Sequence, residues 1–117
     1  ERMFKSAYGL EGGMKAADDI IRSGIPFTGI ICGEDVTAIG VMKELKKRGY
    51  RIPEDVAVTG CNNSPECRIC EPALTTLDNK PELLGRMCAQ ILQDTIEKKK
   101  TNVNVAIQPE LIIRQST

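Results

Sequence analysis

Four short polar stretches hold the residue types that can grip a small polar molecule. They are Tyr8-Gly9, Gly33-Glu34-Asp35, Cys61-Asn62-Asn63-Ser64 and Asp78-Asn79. A tyrosine ring offers an apolar face and a hydroxyl, an ionised carboxylate accepts hydrogen bonds, and an amide both donates and accepts. This is binding chemistry rather than bond-making chemistry. The chain contains no histidine, which removes the Ser-His and Cys-His nucleophile pairs and the commonest metal ligand. An α/β enzyme would need a nucleophile with its base, or a phosphate loop, and neither is found. Cys67-Arg68-Ile69-Cys70 is a single C-x-x-C. With Cys61, and with Cys32 at the same crevice edge, Cys67 and Cys70 are weak candidates for zinc or a redox pair. The usual zinc pattern pairs two such motifs, so loop cysteines without a metal are the preferred reading, and no cofactor is expected. Gly9-x-x-Gly12-Gly13 leads into a helix and could hold a phosphate, but it is not the dinucleotide fingerprint, and close helix packing is the expected reason for it.

The elements that must position these stretches alternate along the chain. Apolar runs at 3–7, 27–32, 56–59, 74–77 and 111–113 are short and bounded by turn residues, which reads as strand. Val103, Val105 and Ile107 alternate in the same sense. Residues 10–22 carry Met14, Ala17, Ile20 and Ile21 at helical spacing and stop at Ser23-Gly24. A second helix follows Asp35, a good N-cap, and Gly49 sits where a left-handed C-cap belongs. Residues 65–72 form a loop with room for one helical turn. The longest helix opens at Pro81 and runs to about Lys98, with a stripe of Leu84, Met87, Cys88, Ile91, Leu92, Thr95 and Ile96. A face that wide must be covered, by this chain's own sheet or by a neighbouring molecule.

Repeated strand–helix units imply an α/β fold: a mainly parallel, doubly wound sheet with helices on both faces. Ligands sit at the carboxyl ends of the strands in such sheets, and the four polar stretches lie there. At 117 residues the chain is one domain, with 41% hydrophobic and 27% charged residues. Sixteen basic and sixteen acidic residues cancel, so this segment lacks the basic excess used to hold DNA by its phosphates. Lys98, Lys99 and Lys100 form a basic run, and they suit a helix end. No apolar stretch approaches membrane-spanning length and no signal peptide opens the chain; its first residues read as a point inside a longer protein. Five cysteines, an odd count, argue against a disulfide framework and point to a reducing cytoplasm.

Three segments together, "ICGEDVTAIGVMKELKKRGYRIPEDVAVTGCNN", "PALTTLDNKPELLGRMCAQIL" and "PELIIRQST", resemble the C-terminal part of the lactose/galactose-repressor (LacI/GalR) family of transcription regulators. The motifs occur in order: an acidic pair before Ala-x-Gly, Gly-x-x-x-Pro-Glu-Asp-Val, Pro-x-Leu-Thr-Thr, Leu-Gly in a helix, and a closing Arg-x-Ser-Thr. The resemblance covers residues 8–117. It implies a periplasmic-binding-protein-like effector domain of two lobes. The chain would supply an incomplete C-terminal lobe plus a helix, about 81–98, that crosses to the other lobe near Asp78-Asn79-Lys80. The DNA-binding headpiece would lie outside it. The resemblance further implies a cytoplasmic homodimer with contacts near Met14, Ile39 and Ile69. The partners would be a small effector (a sugar, a sugar derivative or a purine) and DNA reached only through the headpiece, with no membrane. A periplasmic sugar-binding component of a transporter shares the fold and is the alternative; the five cysteines and the Thr-Thr segment favour the repressor side.

Carried over position by position, the resemblance places Tyr8, Glu34, Asn62 and Asn79 toward the effector. Asp35 matches the family's more constant aspartate and is expected to cap its helix. Asn62 and Asn63 stand where the family typically has two aspartates, the first gripping ligand hydroxyls. An amide donates where an ionised aspartate only accepts, so the effector is expected to present more acceptors than a plain sugar. A turn-closing role for these asparagines is the competing expectation.

Overall fold

In the computed structural model, which describes residues 2–99 and 104–117, eight elements alternate in type. They are α1 (Gly9–Arg22), β1 (Gly29–Ile31), α2 (Asp35–Lys47), β2 (Ala57–Cys61), α3 (Glu66–Ile69), β3 (Thr75–Asp78), α4 (Pro81–Ile96) and β4 (Glu110–Ile112). The sheet order is β1-β2-β3-β4. The first three strands are parallel, with Ile30 beside Val58 and Gly60 beside Thr76, and β4 returns antiparallel, with Leu77 beside Leu111. All three parallel strands therefore end on one edge, which is where the polar stretches lie.

Small residues let α1 lie directly on α2. A Cβ on Gly13 would stand 2.0 Å from the Thr37 carbonyl oxygen, and one on Gly40 would stand 2.1 Å from that of Leu10. Of the glycines after Tyr8, Gly13 thus serves helix packing, whereas Gly12 leaves room for the Ala7 carbonyl and Gly9 adopts φ +87°. The C-terminus of α2 closes as a Schellman turn: Gly49 N–H donates to the Lys46 carbonyl and Tyr50 N–H to that of Leu45, with Gly49 at φ +87°. Beneath the helices Ala17, Ala38, Val41, Leu45, Val56, Val58, Cys67 and Leu74 form the core.

The closing Arg-x-Ser-Thr motif is a structural clip. β2 and β3 pair only from Thr59 and Thr75 onward, and Ser116 fills the gap below. Its hydroxyl donates to the Val58 carbonyl at 2.6 Å and accepts from Thr75 N–H at 2.8 Å, while its own carbonyl accepts from Val58 N–H at 2.9 Å. Ser116→Ala leaves a buried donor and a buried acceptor unpaired. Equilibrium urea unfolding should show a loss of about 2 to 3 kcal/mol.

Several expectations are corrected here. Residues 3–7 form no strand, and Met3 is exposed; an apolar segment that joins no ladder gains nothing from extended pairing. Val105 and Ile107 lie in irregular chain; Val103 and Lys100 lie outside the described residues. Among the described residues Val58 and Leu74 are covered, while Ile31 on the opposite face of the sheet is 88% exposed and Leu111 and Ile113 are also open. Of the two covers expected for the α4 stripe, this chain's own sheet or a neighbouring molecule, the sheet is not the one used. None of its residues is buried, and Leu92 and Ile96 are 62% and 71% exposed. The molecule extends to 58 Å with a radius of gyration of 17.7 Å, where roughly 13 Å is usual for a compact chain of this length.

Candidate functional site

The strand-end edge is built from two hydrogen-bonded pairs of loops joined by one buried carboxylate. At one end, Gly9 N–H, next to Tyr8, donates to Glu34 Oε2 at 3.2 Å and to Thr37 Oγ1 at 3.0 Å. The Thr37 hydroxyl donates to the same Glu34 oxygen at 2.6 Å. Tyr8 and Glu34 are therefore neighbours, with Tyr8 84% exposed and Glu34 partly buried. At the other end, the Asn79 amide donates to Asn62 Oδ1 at 3.0 Å and to Cys61 Sγ at 3.2 Å. Asn62 is exposed and Asn79 partly so.

Asp35 connects the two ends, in a role different from the capping expected of it. It is the first residue of α2, the N-cap position belongs to Glu34, and no side chain caps the helix. Its carboxylate is buried and reaches across to the β2–α3 loop and β3. Oδ2 accepts from Ser64 N–H at 2.7 Å and Oδ1 from the Thr76 hydroxyl at 2.5 Å. Thr76 Oγ1 in turn accepts from Asn63 N–H at 3.2 Å. The preference of aspartate for its own helix turn is outweighed by two donors offered from 29 and 41 residues away. Gly60 makes room for this: a Cβ there would lie 2.3 Å from Asp35 Oδ1.

The two asparagines have separate jobs. Both adopt positive φ, 104° at Asn62 and 51° at Asn63; the first is a strained conformation for any residue with a side chain. Asn63 is internally engaged. Its Oδ1 accepts from Arg114 Nη2 at 2.7 Å and its Nδ2 donates to Asp78 Oδ2 at 3.1 Å. The Lys80 N–H and the Asn63 amide hold the Asp78 carboxyl below its usual range. Only the Asn62 amide of this pair faces outward. The sequence reading missed Thr37, Thr76 and Arg114 as site supports, although Thr76 and Arg114 stand within motifs it had singled out.

The thiols do not converge. Cys67 is buried beside Ser64, and burial, then its contact with Asp35, pushes it up to about 11. Burial likewise raises Cys32 to about 11. Cys70 donates to the carbonyls of Cys67 and Pro72, and Cys61 sits at the strand ends with Asn79. Among the described residues no three His, Cys, Asp or Glu side chains gather where they could hold a metal ion. The raised pKa values make Cys32 and Cys67 poor nucleophiles and poor ligands. Two concavities among the described residues, about 410 Å³ beside Tyr50, Arg51 and Pro72 and about 250 Å³ beside Ile39, Met42 and Cys70, lie away from the strand ends. The candidate site is an open lip. No helix among the described residues is long and apolar enough to cross a membrane.

A periplasmic binding protein-like domain matches residues 2–117. The HTH-type transcriptional repressor PurR of Photorhabdus laumondii is 35% identical over 107 residues, covering 91% of this chain and 31% of that protein. The HTH-type transcriptional repressor CytR of Escherichia coli K12 is 32% identical over 108 residues, covering 92% and 32%. The chain thus spans about a third of the length of the curated relatives it matches. Among solved structures, a transcriptional regulator CelR–cellobiose complex superposes with a TM-score of 0.89 at 26% identity, covering 96% of this chain and 35% of that one. A LacI family regulator from Arthrobacter sp. FB24 in complex with lactose gives 0.85 at 28%, covering 96% and 43%. These relatives are transcription regulators rather than enzymes. The chain belongs to the periplasmic binding protein-like domain family, in the form carried by LacI-type transcription regulators.

Proposed function

We propose that this chain is the C-terminal part of the effector-sensing unit of a cytoplasmic LacI-type repressor, and that Tyr8, Glu34, Asn62 and Asn79 form its half of the effector cleft. The observation that carries this reading is the shared edge: three parallel strand ends and the Tyr8 loop are tied together, with Asn62 held at φ 104° in an exposed position. Strain retained at a solvent-facing polar residue is characteristic of binding sites. The effector is a small sugar, sugar derivative or purine, and the relatives solved with cellobiose and lactose support that class. Helix α4 crosses to a second lobe that covers its bare apolar face. The regulator acts as a homodimer through outer faces near Met14, Ile39 and Ile69, the last of which is exposed, and DNA is read by a separate headpiece. Binding shifts the two lobes between arrangements only by the effector's difference in affinity for them. The transporter-component alternative has less support, since the relatives described above are regulators.

Calorimetric titration of the intact regulator with lactose, cellobiose, sugar phosphates and purine bases tests the reading directly. Asn62 receives the Asn79 amide on its own oxygen, so its two N–H donors are what it offers a ligand. Asn62→Asp removes both and adds a negative charge. Affinity for an acceptor-bearing ligand found in the screen should fall about 10- to 100-fold. Unchanged affinity and preference would reduce Asn62 to a turn residue.

A further inference from the structure

Asn63 is the meeting point of three segments. Its backbone N–H reaches Thr76 on β3, its amide oxygen takes Arg114 after β4, and its amide nitrogen reaches Asp78 where β3 leaves for α4. Arg114 is anchored in its turn by Nη1 donating to the Leu74 carbonyl at 2.7 Å and by its N–H donating to Thr75 Oγ1 at 2.8 Å. Asp78 Oδ1 accepts from Lys80 N–H at 2.7 Å, and Lys80 Nζ stands 3.6 Å from Glu110 Oε2, whose backbone pairs with Asp78. The outgoing and returning crossings of the chain therefore meet at one side chain, next to the exposed Asn62.

We propose that Asn63 is a positioning residue for the cleft: its neutral amide completes a guanidinium–amide–carboxylate bridge between Arg114 and Asp78, and that bridge fixes how Asn62 presents its own amide. The proposal rests on the effector-sensing reading for its purpose but not for its geometry. A guanidinium only donates and a carboxylate only accepts. The residue between them must accept on one side and donate on the other, which an amide does and an aspartate does not. An aspartate at 63 would set two carboxylates about 3 Å apart with Arg114 and Lys80 as the nearby cations, and like charges at that range resist joint ionisation. An aspartate at position 63 is thus disfavoured by Asp78 whatever the effector, and the link to Lys80 and Arg114 couples the loop to the segment that leads into α4.

A charge swap tests this. Asn63→Asp tolerates the left-handed backbone nearly as well as asparagine, so its effect isolates the bridge. At pH 7 the variant should melt about 5–10 °C lower. One of the paired carboxyls keeps its proton to a higher pH when folded than when unfolded. The loss should therefore be absent at low pH and grow as pH rises above about 3.9. The double variant Asn63→Asp/Asp78→Asn reverses the bridge. The new amide at 78 donates to the carboxylate and its oxygen still accepts from Lys80 N–H, so melting temperature should return. In ¹⁵N-labelled chain, the side-chain amide signals of Asn62 and Asn79 should shift in the single variant and recover in the double. A double variant no more stable than the single, or Asn62 signals indifferent to both, overturns the proposal; should the single variant not fold, the double still decides it. A ligand screen without hits would speak against the sensing role and leave these measurements standing.

Discussion

Gly60→Ala should destabilise this chain by about 3 kcal/mol or more, lowering its melting temperature by roughly 10–20 °C. The added methyl would lie 2.3 Å from Asp35 Oδ1, 2.9 Å from Leu74 Cδ2 and 3.1 Å from Asp35 Cα. Leu74 is fully buried and the Asp35 Cα belongs to the first turn of α2, so neither moves aside at low cost. If the carboxylate swings away instead, it loses Ser64 N–H and the Thr76 hydroxyl and stays in the interior without partners. Removing the partners of a buried charge costs about 3–5 kcal/mol. The same displacement frees the Asn63–Ser64 backbone, so stability and cleft should fail together. Urea unfolding reports the first effect, and hydrogen exchange at the Ser64 amide reports the second. Gly33→Ala is the control, because a Cβ there meets nothing within 4 Å. Equal stability of the Gly60 and Gly33 variants would show that Asp35 is not held as described.

What the sequence made legible was whatever is decided locally or by register. Ser23-Gly24 and Gly49 end helices because a left-handed residue is needed there, and Gly24 and Gly49 both adopt positive φ. The apolar runs at 27–32, 56–59 and 74–77 became β1, β2 and β3 shifted by a residue or two. Their parallel pairing then put Glu34, Asn62 and Asn79 on one edge without further information. What stayed hidden depends on partners far along the chain. Asp35 reads as a cap because its own turn is all that a local reading offers, whereas its donors come from Ser64 and Thr76. Asn63 looks like the twin of Asn62 until Arg114, 51 residues later, takes its oxygen. The helical stripe of α4 was legible as a stripe, but its covering was not, since periodicity says that a face is apolar and not what lies against it.

That stripe gives the second large effect: in isolation this chain should not behave as a compact monomer. Leu83, Leu84, Leu92 and Ile96 are exposed on α4, and Ile31, Leu111 and Ile113 are exposed on the sheet. Soluble monomers rarely leave contiguous apolar surface above a few hundred Å² open to water. Helix α4 also has little to hold it alone. It is 16 residues long with no buried residue, a glycine at position 85 and no basic residue in its last turn. Isolated helices of that length are marginal in water. Association and α4 formation should therefore be one event. Sedimentation across a dilution series should show dimers or larger species giving way to monomer, and helical circular dichroism should fall in step as α4 frays. Leu84→Lys with Leu92→Lys should move both transitions to higher concentration while leaving the cooperative melting of the α1–α2 and sheet core in place. A monodisperse monomer that keeps its full helix signal at every concentration would mean that α4 is stable bare. The argument that it requires a covering surface, whether a second lobe in the regulator or a second copy in solution, would then fail.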